Sequence, residues 1–104
     1  MNILRHAAQL VLDVNKVQSQ AAVKLYNKLG LCRKFFTACG IPYEVAARLE
    51  ARFLAETRRG VDKQHDLASR WVRGDIGIAQ FAEDYMKWYS VLLERCDDIT
   101  AEEL

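Results

Sequence analysis

The sequence predicts an all-α protein: a small helical bundle of about five helices, with a long N-terminal helix and a central C-terminal helix. Three observations predict this class. Apolar residues recur every three or four positions along most of the chain, glycines fall where these runs end, and no segment alternates between apolar and polar residues as a strand would. The length of 104 residues, 51% of them hydrophobic, suits a single domain. We expect that domain at 1–96 and a loose acidic tail at 97–104.

The first helix is predicted from Ile3 to Leu29, with Asn2 as its N-cap and Gly30 as its stop. A seam of apolar residues follows it at spacings of three and four: Ile3, Ala7, Leu10, Val14, Val17, Ala21, Leu25 and Leu29. Such a helix is about 40 Å long, whereas a compact chain of this size is ~33 Å across. Either the helix bends near Asn15, or a second copy covers its overhanging apolar end. We favour the second option, a two-fold homodimer.

Four shorter helices are expected at 31–39, 42–59, 63–73 and 76–96, because Gly40, Gly60 and Gly74 separate the apolar runs. Pro42 suits the first position of the helix predicted at 42–59, and Asp75 suits the N-cap of the last. The residues expected in the core are Phe35, Phe36, Val45, Ala46, Leu49, Phe53, Thr57, Leu67 and Trp71.

Charge and cysteine content set limits on location and partners. The net charge is +1, but residues 1–40 carry six basic residues against one acid and residues 75–104 carry two against eight. This asymmetry suits nucleic acid, an acidic partner, or pairing between two copies. Cys32, Cys39 and Cys96 form no C-x-x-C pair and are expected to be reduced core thiols. With no spanning apolar run and no signal peptide, we expect a cytoplasmic protein that does not contact the membrane.

The segment from Arg33 to Leu49 resembles the helix-turn-helix pattern of bacterial and phage DNA-binding proteins. A short apolar helix, Gly40 in the turn and a second amphipathic helix follow at the spacing of that motif. The resemblance implies base contacts from the start of the second helix and phosphate contacts from basic residues around it. The residues concerned are Arg33, Lys34, Tyr43, Glu44, Ala47, Arg48 and Arg52. The same pattern also suits a purely structural helical corner.

Two further groups of residues are candidates for binding a partner. Arg58 and Arg59 form the densest basic cluster and suit an anion, but cations in a last helical turn also offset the helix dipole. Trp88 and Tyr89 lie in an aromatic run with Trp71 and Tyr85. Such a run is usually core, yet an exposed Trp or Tyr is typical of a binding anchor.

Nothing in the sequence points to catalysis. His6 and His65 stand apart from the cysteines, no ligand pairs repeat, and no glycine-rich loop is present to hold phosphate. We therefore expect no catalytic residue, no cofactor and no metal.

The function expected is that of a small non-enzymatic regulator that masks a surface of a protein or nucleoprotein partner, as an inhibitor, adaptor or assembly subunit. Small phage and plasmid proteins that block host machinery, anti-CRISPR proteins among them, offer an analogy. The alternative is a dimeric protein of the helix-turn-helix type that binds duplex DNA.

Overall fold

The computed structural model describes residues 3–104 and contains four helices in that range: α1 (Ile3–Leu29), α2 (Leu31–Ala38), α3 (Tyr43–Val72) and α4 (Ile78–Glu103). The all-α class is confirmed, with four helices where about five were predicted. α1 has the predicted bounds, and it stops at Gly30, whose φ of 63° is left-handed. Asn2, the expected cap of α1, lies outside the described residues. None of these helices is long and apolar enough to cross a membrane.

The helices predicted at 42–59 and 63–73 are in fact one continuous helix, α3. Gly60 was expected to end the first of them, but it lies in the middle of α3 and is buried. A glycine within a helix costs only about 1 kcal/mol relative to alanine. Packing of α3 against its neighbours outweighs that cost. Pro42 stands one position before the helix, as its N-cap.

α4 is shifted along the chain relative to the prediction. Its N-cap is Gly77, and Asp75 instead accepts a hydrogen bond from Nε of Arg73 at 3.2 Å. At the other end, residues 97–103 continue the helix, although a loose tail was expected. Two contacts account for this extension, since Ile99 is buried and the Glu103 carboxylate pairs with Arg48.

α3 is the helix that contacts all three of the others. α1 and α4 both pack on it, and α2 packs on its N-terminal half; no Cα atom of α1 lies within 8 Å of one in α4. The molecule is elongated and measures 55 × 26 × 15 Å along its principal axes. The central helix is thus α3, and the expectation of a central C-terminal helix was wrong.

The elongated bundle buries few apolar side chains. Among residues 3–104 those that are buried are Val23, Ala46, Leu49, Leu54, Leu67 and Ile99. Trp71, Thr57 and Phe35, all expected in the core, are exposed. The accessible surface is 7235 Å², whereas a compact monomer of this mass exposes roughly 6,000 Å². The elongated shape leaves many large apolar side chains in contact with water, Ile3 and Leu10 among them.

Candidate interaction surface

A row of aromatic side chains follows the border between α3 and α4. Neighbouring ring centroids are 5.1 to 6.5 Å apart, within the range of favourable aromatic contact. The row consists of Trp71 from α3 and Phe81, Tyr85, Trp88 and Tyr89 from α4. The expected clustering of Tyr85, Trp88 and Tyr89 is thus present, and the prediction missed Phe81, which links them to Trp71. An i, i+4 spacing from Phe81 to Tyr85 was the available signal.

One ring of the row, Trp88, forms part of the wall of a groove of about 400 Å³ between the two helices. An added Cβ on Gly60 would lie 3.5 Å from Cζ2 of that indole. The lining is mostly apolar, with polar side chains at Thr57 and Gln64 and the carboxylate of Glu56. A groove of this composition can take up apolar side chains of a partner and offer hydrogen bonds at its border.

Trp88 and Tyr89 differ in how far they are available to a partner. Trp88 is half-buried against α3, whereas Tyr89 is exposed over 43% of its surface and lies nearly parallel to Tyr85. Of the two expected anchors, Tyr89 is therefore the one that presents its ring to solvent. Trp88 shapes the groove beside it.

Arg58 and Arg59 do not form one anion-binding cluster in the structure. Successive helical residues point about 100° apart. Nη1 of Arg59 donates a hydrogen bond to Oε1 of Glu56 at 2.8 Å. Arg58 is exposed and, within residues 3–104, makes no ion pair. Of these two arginines, Arg58 is the one whose charge has no carboxylate partner among residues 3–104.

A charge cluster at the middle of the α3–α4 border was not predicted. The buried carboxylate of Glu56 accepts hydrogen bonds from Nε and Nη2 of Arg95 and from Arg59. The hydrogen bonds from Arg95, helped by the charge of Arg59, hold the pKa of Glu56 below its ordinary value although burial acts in the opposite direction. The pair of Glu56 and Arg59 was visible as an i, i+3 spacing, but Arg95 is 39 positions away from Glu56.

The segment that resembles a helix-turn-helix does form a helical corner. α2 ends at Ala38, Gly40 adopts a left-handed φ of 90°, and α3 begins at Tyr43. Tyr43, Glu44 and Lys34 are exposed at this corner. These positions are open to a ligand.

Other members of the same set are occupied by contacts within the chain. Nε of Arg33 lies 2.8 Å from Oε1 of the buried Glu50, and Nη1 of Arg33 donates to the hydroxyl of Tyr43 at 3.1 Å. Both contacts of Arg33 attach α2 to the first turns of α3. Ala47 is half-buried.

Arg48 and Arg52 meet the acidic end of α4. Nε of Arg48 donates to Glu103 at 2.8 Å, and Nη2 of Arg52 lies 2.6 Å from Glu102. The hydrogen bond from Arg48, together with one from Nη1 of Arg52 to Glu103 at 3.2 Å, lowers the pKa of Glu103. Both arginines were expected to contact DNA, and both have carboxylate partners in the structure.

The cysteines and histidines form no further cluster. In the part of the chain that the structure describes, no group of three or more His, Cys, Asp and Glu could hold a metal ion. Cys39 is exposed and not in the core as expected, and burial raises the pKa of Cys32 and Cys96. No family model, curated protein or solved structure matches this chain.

Proposed function

We propose that this protein is a cytoplasmic, non-enzymatic regulator that binds a partner protein through the aromatic groove between α3 and α4 and so masks the partner's surface. The observation that carries the proposal is the exposed ring of Tyr89, whose centroid lies 6.5 Å from that of Trp88 in the wall of the groove. Aromatic anchors with large contact area and few rotatable bonds dominate the energetics of many protein interfaces.

The form of the groove favours a helical ligand. It runs between two packed helices, has an apolar lining and carries polar groups at its border. An amphipathic helix presents apolar side chains three and four residues apart, and such a stripe seats in a groove of this kind. The exposed Arg58, which follows Thr57 of the lining along α3, favours an acidic residue on the polar side of the partner helix.

The test compares three variants in affinity capture from native lysate, with and without nuclease. Tyr89→Ala removes the exposed ring, and Trp88→Phe changes the wall of the groove while keeping an aromatic side chain. Tyr26→Ala is the matched control, because Tyr26 lies on α1 and is exposed over 47%, close to the 43% of Tyr89. We expect Tyr89→Ala to lose a protein that the wild type and Tyr26→Ala both retain, with nuclease making no difference.

Two outcomes contradict the proposal. One is capture of the same proteins by Tyr89→Ala and by the wild type. The other is loss of every captured protein after nuclease treatment, which would show that nucleic acid bridges the contact. Circular dichroism of each variant checks that its helical content is intact.

Duplex DNA binding is the second candidate function. The corner between α2 and α3, with Tyr43 exposed at the start of α3, favours it. DNA would have to displace Glu102 and Glu103 from Arg52 and Arg48, since phosphates compete for the same guanidinium groups.

Fluorescence anisotropy with a mixed duplex pool tests this second function. If it is correct, affinity falls steeply with added salt, and Arg48→Ala changes sequence preference more than Arg59→Ala does. Glu103→Gln should then raise the affinity, because it frees Arg48. Weak binding that does not depend on salt removes DNA binding from consideration.

A further inference from the structure

Several contacts between α1 and α3 are polar. Gln9 donates a hydrogen bond to the hydroxyl of Ser69 at 2.9 Å, and Nε2 of His65 lies 2.7 Å from Oδ1 of Asp13. Gln20 makes a similar contact with α3, to Asp62 at 3.2 Å. On the same side of α1, Val23 is buried and Leu12 is half-buried, so this side is already covered by its own chain.

The apolar seam of α1 lies elsewhere on the helix. It is offset by one residue from the polar contacts, which corresponds to about 100° around the helix axis. Its larger members are all exposed: Ile3, Leu10, Val14, Val17 and Leu25. Leaving a continuous apolar stripe of this length in water is unfavourable.

The spacing of the seam is that of a coiled coil. From Ile3 to Ala21 the apolar residues follow one another at intervals of four, three, four, three and four. This repeat averages 3.5 residues per turn, which keeps one stripe facing a partner helix along its whole length. In heptad terms Ala7, Val14 and Ala21 occupy position a, and Ile3, Leu10 and Val17 occupy position d.

The seam has apolar side chains free for an interface. Ile3, Leu10 and Val17 are each at least 65% exposed, and Val14 is 55% exposed. A two-fold contact between equal apolar stripes needs no other chain, because each copy supplies the surface that the other requires.

We propose that α1 pairs with α1 of a second copy in an antiparallel, two-fold symmetric coiled coil over residues 3–21. The two-fold axis then passes near residue 12. In this register Ala7 packs against the partner's Val17, Val14 against the partner's Leu10, and Ala21 against the partner's Ile3. Each layer then combines a shorter with a longer side chain, as a well-packed seam requires.

Charge selects the antiparallel orientation. The next two heptad positions after Ala21 are Lys24 and Lys28. In a parallel pair in register, each lysine would face its own copy within the seam, and the like charges would repel. In the antiparallel pair both lysines lie outside the paired stretch. This proposal does not depend on the aromatic groove or on the function proposed for it.

The mass of the full chain in solution is the first test. Light scattering should give twice the chain mass of 11.9 kDa for the wild type. Val14→Asp should give the single mass, because it sets a carboxylate in each of two layers next to the axis. Val91→Asp is the matched control: Val91 is exposed over 53% on α4, against 55% for Val14, and the dimer should persist. A single mass for the wild type across concentrations would overturn the proposal.

Disulfide trapping tests the orientation and does not depend on how Val14→Asp folds. Leu10→Cys and Val14→Cys chains of different tag length are oxidised alone and as an equal mixture, and the linked peptides are identified by mass spectrometry. The antiparallel pair predicts a link only in the mixture, between position 10 of one chain and position 14 of the other. Links between equal positions in each variant alone would contradict that orientation, and no link at these positions would contradict the interface.

Discussion

Arg95 donates two parallel hydrogen bonds to the carboxylate of Glu56, from Nε at 2.9 Å and from Nη2 at 2.7 Å. The geometry is the bidentate fork that makes Arg–carboxylate pairs strong and directional. Glu56 is buried, whereas the side chain of Arg95 is about half in solvent. The contact fixes the register of α4 along α3, and with it the position of the aromatic row.

Glu56→Gln should destabilise the fold by about 1 kcal/mol, because the amide cannot accept both hydrogen bonds from Arg95. The guanidinium charge of Arg95 is then less well solvated. Glu83→Gln is the control, since Glu83 and Lys87 form an exposed i, i+4 pair at 3.1 Å whose loss should cost about 0.5 kcal/mol or less. Urea unfolding measures both. Equal midpoints for the two variants would show that the fork does not hold α4.

Acid should weaken the contact between α3 and α4. Hydrogen bonds from Arg95 and from Arg48 lower the folded-state pKa of Glu56 and of Glu103, respectively, below the ordinary 4.5. A lowered folded pKa contributes stability that is fully present above pH 4.5 and is lost as the pH falls through the folded value. The urea midpoint should therefore drop below pH 4.5, and the double variant Glu56→Gln, Glu103→Gln should show a smaller drop. An equal drop in the variant would assign the acid sensitivity to other groups.

Gly60→Ala should stabilise the protein by ~0.5–1 kcal/mol, because alanine has the higher helix propensity. The added methyl group would meet Trp88 at 3.5 Å, an ordinary contact distance. Gly74→Ala should instead destabilise the protein, since Gly74 has a φ of 83° and the new Cβ would lie 3.0 Å from Nη1 of Arg5. Thermal unfolding of the two variants compares them. A lower melting temperature for Gly60→Ala would mean that the α3–α4 border has no room for a methyl group.

Leu49→Ala should cost about 2–5 kcal/mol, a large part of the total for a domain of this size. Leu49 is 1% exposed on α3, whereas Leu93 is 50% exposed on α4, and Leu93→Ala should have a much smaller effect. Denaturant unfolding measures the free energy of unfolding of both variants. If the two variants lose similar amounts of stability, the residues that stabilise the core lie outside α3.

The class and the first helix were predictable because their signals are local. Helical periodicity and a left-handed glycine at position 30 are enough to define α1 between residues 3 and 29. The continuity of α3 was not predictable in the same way. At Gly60 a local preference of about 1 kcal/mol competes with packing against two other helices, and the sequence does not display that packing.

The candidate site was predicted in composition but not in arrangement. The aromatic residues at 85, 88 and 89 were expected to cluster and do so, since their spacing is helical. The partners of Arg48 and Arg52 depend on α4 running to Glu103 beside the start of α3, a contact across more than fifty residues. The seam of α1 was recognised as apolar, but periodicity does not tell which side of a helix faces its own chain.

The groove between α3 and α4 and the seam of α1 have no lining residue in common. A molecule in the groove and a second copy on the seam can therefore be held at the same time. α1 and α4 are coupled through α3, which contacts both, and through the cavity that Leu12 of α1 and Phe81 of α4 line together. Unless α3 or that cavity changes shape, occupancy of one site leaves affinity at the other unaltered.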